Sequence, residues 1–176
     1  MRISVERFGD GLRVRMRLDV DRRRWLVTRV AMVLLAVIGV VTGVWALAAP
    51  AAWFRSFPFG LNWVPMDGPY NQHLAVDAGA FFLALGVLAA LAAAAADSLL
   101  CRVTGVGWLV FGIPHLLYHA AHRPADMSGA GFALMLIAAA LMVLIAAAAV
   151  VAAPRGRVPL RDPAPMDIRL PGRRNG

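Results

Sequence analysis

Lysine is absent, cysteine occurs once, and acidic residues number ten in a chain of 176. The lone Cys101 excludes an internal disulfide, a CxxC pair and a CxxCH haem-attachment motif. It reads as a small packing residue rather than a nucleophile. Charged residues make up only 16%, against about 25% in an ordinary soluble domain. With 60% of the residues apolar, this excludes a soluble globule, a disordered chain and a disulfide-rich secreted domain. Also missing are a phosphate-binding glycine loop, an HExxH motif, a Ser–His–Asp set and the inverted repeats of transporters. No nucleophile and no substrate can be named, so the residues do not decide whether the chain is an enzyme.

What is present is four long apolar blocks, at about 25–49, 71–96, 98–121 and 128–153, parted by short polar or proline-bearing breaks. At 1.5 Å per residue each makes a helix roughly 36 Å long, enough to cross a hydrocarbon core of about 30 Å. Strand-like alternation is missing from these blocks, and in lipid only a helix then satisfies the backbone. The expected fold class is an all-α membrane protein, a multi-pass four-transmembrane-helix bundle. It divides into a basic segment over 1–24, a transmembrane domain over 25–153 and a basic tail over 154–176. The first block is too long for a signal peptide, although its end, WALAAPAAW, holds small residues.

All 18 basic residues are arginine, and 14 of them lie in 1–24 or 155–176. The loops at 50–70 and 122–127 carry one arginine each, Arg55 and Arg123. The positive-inside rule therefore puts both termini in the cytoplasm and the protein in the cell (plasma) membrane. The tails are also suited to anionic lipid. No DNA- or RNA-binding motif accompanies the charge, so nucleic acid is excluded as a partner. The expected partners are the lipid bilayer and, beyond it, a second copy or another membrane subunit.

Three further segments have character. Within 12–20 apolar and charged residues alternate, the period of a half-exposed strand, and Gly9-Asp10-Gly11 gives a turn onto Ile3–Phe8. The tail after Pro154 reads as disordered. Loop 50–70 holds Trp53, Phe54, Phe57, Phe59, Trp63 and Tyr70, with prolines that forbid a long helix. It reads as an aromatic belt at headgroup level; a lid over a pocket is the sharper alternative. Gly39 and Gly43 form a GxxxG pattern, and Gly79/Gly86 and Gly105/Gly112 are each seven apart, which favours close helix packing.

The four histidines gather near the outer face. His73 opens the second span, with Asp77 at i+4. His115, His119 and His122 close the third. At about 100° per residue His119 lies about 40° from His115 and His122 about 20° to the other side, so the three make one stripe. Asp77 lies about 40° from His73. If the two faces meet, four imidazoles and one carboxylate cluster. Pro114 withholds a hydrogen bond from the carbonyl of Val110 and should kink the helix where the stripe begins.

Imidazoles at i and i+4 share a metal ion readily, so His73, Asp77, His115 and His119 suit zinc, copper or non-haem iron. Two histidines on different helices suit haem. Proton or ion transfer also uses intramembrane Asp and His. The plainer role is an Asp–His bond that locks helices together. Asp77 serves either as ligand or as the acceptor that fixes a histidine tautomer, and Tyr118, about 60° off the stripe, as a donor.

Two segments carry a resemblance: Gly68-Pro-Tyr-Asn-Gln-His-Leu-Ala-Val-Asp-Ala-Gly-Ala80, and Trp108-Leu-Val-Phe-Gly-Ile-Pro-His-Leu-Leu-Tyr-His-Ala-Ala-His122. Over roughly residues 25–150 the chain resembles a family of small four-span membrane proteins of actinobacteria, uncharacterised in activity and loosely DoxX-like. The motif positions are Asn71, His73, Asp77, Pro114, His115, Tyr118, His119 and His122. Members often carry Arg before the motif Asp, where this chain has Val76. The resemblance implies that these positions act together and implies no activity.

The sequence thus predicts an outward-facing His/Asp site for a metal ion or haem, in redox or metal handling, with His73, Asp77, His115, His119 and His122 as ligands and Asn71, Pro114 and Tyr118 in support. The alternative is a non-catalytic subunit or scaffold whose polar cluster only packs helices.

Overall fold

A computed structural model of the chain describes residues 2–9, 11–17, 21–154 and 165–169. Strands β1 (Arg2–Phe8) and β2 (Gly11–Arg17) precede the long helix α1 (Arg22–Ala48). Two short helices follow, α2 (Pro50–Ser56) and α3 (Trp63–Asp67). Then come the long helices α4 (Gln72–Ala95), α5 (Ser98–Ala121) and α6 (Gly129–Ala152), and the short strand β3 (Met166–Arg169). The four long helices are each long and apolar enough to cross a membrane, as the hydropathy predicts. Their most apolar windows are only 28–44% buried, so most of that apolar surface faces outward, as a lipid environment requires.

Each long helix starts where a side chain takes up its free amides. Asp21 accepts from the backbone N–H groups of Arg23 and Arg24, Asn71 from Leu74, Asp97 from Leu99 and Leu100, and Ser128 from Gly131. These are N-caps, the residue types that best satisfy the first turn. α5 runs unbroken through Pro114.

The long helices form a ring in which α1 packs on α4, α4 on α5, α5 on α6 and α6 back on α1. The α1–α4 seam is the closest, and glycine is the reason. A Cβ built on Gly39 would lie 2.6 Å from Gly86 Cα, and one on Gly43 would lie 2.5 Å from the backbone N of Leu83. Inside the ring Trp108 is fully buried and donates from Nε1 to the carbonyl of Leu85 at 3.3 Å. Cys101 is also fully buried, with Sγ 3.5 Å from the carbonyl of Ala92, a packing role.

Both tails leave the same end of the ring. Arg24 at the start of α1 donates to the carbonyls of Val151 and Ala152 at 2.7 and 3.2 Å. Arg102 at the start of α5 donates to Ala153 at 2.9 Å and to Pro154. Two guanidinium groups thus occupy the electronegative end of α6.

The hairpin read from the N-terminal alternation is present, with Val5 opposite Val14 and Glu6 opposite Arg13. The tail departs from expectation. Residues 155–164 and 170–176 lie outside those described, but Met166–Arg169 adds a third antiparallel strand beside β2, with Val14 opposite Met166 and Leu12 opposite Ile168. Arg13 holds it with a two-pronged ion pair to Asp167, at 2.7 and 2.9 Å. This pair raises the affinity of Arg13 for its proton and pulls the Asp167 carboxyl below its ordinary range, chiefly through their hydrogen bond.

Candidate functional site

Loop 50–70 is a folded cap. Pro50 sits at the start of α2, where its missing N–H costs nothing. Trp53 turns inward and is buried with Ala46 and Ala75, packed about by Trp45, Phe54, Phe57 and Val64. Asn62 adopts the left-handed conformation (φ 56°) just before α3, a backbone state that asparagine tolerates better than most residues. Trp53, Phe57, Trp63 and Val64 turn onto a cavity, as a lid would, while Phe59 and Tyr70 are exposed.

That cavity, of about 420 Å³, lies between the cap and the inside of the ring, with all four long helices contributing to its lining. Its walls are mainly apolar: rings from Trp53, Phe57, Trp63, Phe82 and Phe111, and thioethers from Met135 and Met142. The polar groups on it are His115, His119, Asp67 and Thr42. His115 stacks on Phe111 with ring centres 5.1 Å apart, and the His119 ring meets it edge-on at 4.6 Å. His119 Nδ1 lies 3.9 Å from Asp67 Oδ2, with side chains 12% and 30% exposed. That separation is too long for a hydrogen bond. Nδ1 is accordingly buried without a hydrogen-bond partner, as is Trp53 Nε1 on the same cavity.

The expected five-residue cluster is divided. His73 Nε2 and Asp77 Oδ2 pair at 3.2 Å, but their side chains are 83% and 59% exposed. No hydrogen bond, ion pair or ring contact described in the structure links them to His115 or His119. Ala75 and Gly79 turn inward on α4, and His73 and Asp77 lie about 160° round the helix from that face. His122 also leaves the stripe. As the C-cap residue of α5 it has a non-helical backbone, its ring stacks on Tyr118 at 4.4 Å, and Nδ1 is 2.9 Å from the Tyr118 carbonyl. Asn71 caps α4, and Tyr118 is half exposed. Among the described residues no group of three or more His, Cys, Asp or Glu is placed to hold a metal ion.

So the structure keeps His115 and His119 together and adds Asp67, Trp53 and the two methionines. Asp67 counts in the sequence only as a loop charge. Its place in an aromatic, proline-rich segment was the available signal. The arrangement can enclose a small molecule with an apolar body and place one polar end against an imidazole. Fold and site together define a multi-pass helical membrane protein with a capped interior cavity. No protein-family model, curated protein or solved structure matches the chain.

Proposed function

We propose that this protein binds a small, largely apolar molecule within the membrane, holding its polar end at His119 and its body among the aromatic rings. The observation that carries this reading is the 420 Å³ cavity, within the range of about 300–1,000 Å³ usual for small-molecule sites. Its polar groups are few, with His119 on α5 facing Asp67 on the cap, and two side-chain nitrogens of its lining residues lack hydrogen-bond partners, a condition costly enough in a native interior to point to a role. The reading keeps the orientation drawn from the arginine distribution: termini in the cytoplasm of a cell-membrane protein and the cap outside. Assignment to the four-span actinobacterial family rests on its two motifs, whose His115 and His119 fall on the cavity wall.

A metal or haem reading has less support. His115 and His119 stand on one helix, so they cannot take opposite faces of a haem, and His73 with Asp77 belongs to a separate surface pair. The test is mass spectrometry of small molecules extracted from detergent-purified protein, alongside elemental analysis and a visible spectrum. The expected result is one co-purifying apolar species that an Ala139→Phe variant, with the cavity wall filled, no longer retains. A near-stoichiometric metal or a Soret band, or an undiminished species in the filled variant, would overturn the proposal.

A further inference from the structure

The three-stranded sheet has two unlike faces. Residues directly opposite each other in an antiparallel pair share a face. One face therefore carries Ile3, Val5, Leu12, Val14, Met166 and Ile168, and the other Ser4, Glu6, Arg13, Arg15 and Asp167. The charged face is internally neutralised in part by the Arg13–Asp167 pair. The apolar face is uncovered: Ile3, Val5, Met166 and Ile168 are 57, 58, 56 and 44% exposed. Removing apolar surface from water is favourable, so a partner for that face contributes directly to the stability of the sheet.

We infer that this partner is the surface of the bilayer the protein itself spans, with the apolar face lying at the headgroup–acyl boundary and anionic lipid around it. Three observations favour this occupant. Only four residues separate Arg17 from Arg22, so covalent geometry holds the end of β2 within about 18 Å of the start of α1. The start of α1 lies at the end of the ring from which both tails leave, as the Arg24 bonds to α6 show, and a membrane crossed by α1 meets water there. The charge is complementary too. Arg7 is exposed on the apolar face opposite Leu12, and Arg22 and Arg23 are exposed at the start of α1. Long arginine stems reach from an apolar surface to lipid phosphates. The sheet would then act as an anchored plate that ties both chain ends to the membrane surface and senses its anionic lipid content.

The test uses full-length protein with Cys101→Ala, carrying single cysteines in place of Val5, Ile168 or Ser4, each labelled with an environment-sensitive fluorophore. The samples are nanodiscs of phosphatidylcholine with and without phosphatidylglycerol. Labels at 5 and 168 should shift to the blue and be quenched by brominated lipid, more so with phosphatidylglycerol, while the label at 4 stays water-like. Adding Arg7→Ala should lower the ratio of lipid-bound to free sheet about fivefold, the factor expected for one interfacial arginine. Water-like emission at 5 and 168 in both lipid mixtures would overturn the inference. So would an equal response at 4 and 5, which would mean that the faces do not differ. Shielding at 5 and 168 from both brominated lipid and aqueous iodide would overturn it as well, and would assign the face to a second copy.

Discussion

His119 and Asp67 stand 3.9 Å apart across the junction between α5 and the cap, and they join the wall of the cavity to its lid. Most of the His119 side chain is buried while Asp67 keeps a third of its surface, so water screens the pair only from the cap side. A double-mutant cycle with Asp67→Asn and His119→Gln, read by unfolding in detergent, should give a coupling of about 0.5–1 kcal/mol, the upper part of the range for partly exposed pairs. A coupling of zero would mean that the cap is held by its aromatic contacts alone.

The α1–α4 seam makes a sharper demand. Any side chain at Gly39 must displace the backbone of α4, because Gly86 Cα and the Phe82 carbonyl both lie 2.6 Å from the built Cβ. Backbone cannot turn aside as a flexible side chain can. Gly39→Val should therefore cost about 1–3 kcal/mol or more. Gly129→Ala, where nothing lies within 4 Å, should change stability by less than about 1 kcal/mol. Equal losses in both variants would show that the effect is general to the helices and not a property of the seam.

The end of α6 depends on charge supplied from neighbouring helices. Arg102 donates to the carbonyls of Ala153 and Pro154, groups that α6 itself has no donors left to satisfy. Arg102→Met keeps much of the apolar stem and removes the donors. Thermal unfolding should show a loss of about 1.5–3 kcal/mol, the usual worth of a hydrogen bond to a charged group. An unchanged midpoint would mean that water replaces the guanidinium at no cost.

These contacts also show which parts of the molecule can be read from the residues. The four spans are legible because lipid leaves the backbone one solution, although the first helix begins at Arg22, ahead of the apolar block that reveals it. The glycine patterns are legible as packing surfaces, and Gly39 and Gly43 do meet α4 near Gly79 and Gly86. The histidine arithmetic is correct within each helix: His115 lies beside His119, and His73 beside Asp77. It fails between helices, because the angle between two residues of one helix says nothing about which face meets a neighbour. Ala75 and Gly79 decide that for α4 and send Asp77 outward. His122 fails for a local reason, since the helix ends one residue before it. The cap is ambiguous in composition, as an aromatic belt and an aromatic lid use the same residues. The strand β3 is hidden because its partner lies about 150 residues away in the chain, as the spacing of Arg13 and Asp167 records.

That distant pairing carries a pH dependence whose sign follows from Asp167. Its carboxyl is held below the ordinary value of 3.8, first by the hydrogen bond from Arg13 and also by the charges of Arg13 and Arg15. A depressed carboxylate pKa contributes stability that is fully present above the unfolded value and is lost as pH falls through the folded one. The β2–β3 pairing should therefore be constant from neutral pH down to about 5 and release only below the ordinary carboxylate range. Both groups are on the surface, so the effect is confined to this strand and leaves the helices intact. Spin labels at Ser4 and Pro165, two strands apart, should show strong dipolar broadening in continuous-wave spectra at pH 7 and at pH 5 and lose it below pH 3. Arg13→Ala should weaken the broadening at neutral pH and remove the acid transition. A release that begins near pH 6 in the unaltered chain would place control of the strand in some group other than Asp167.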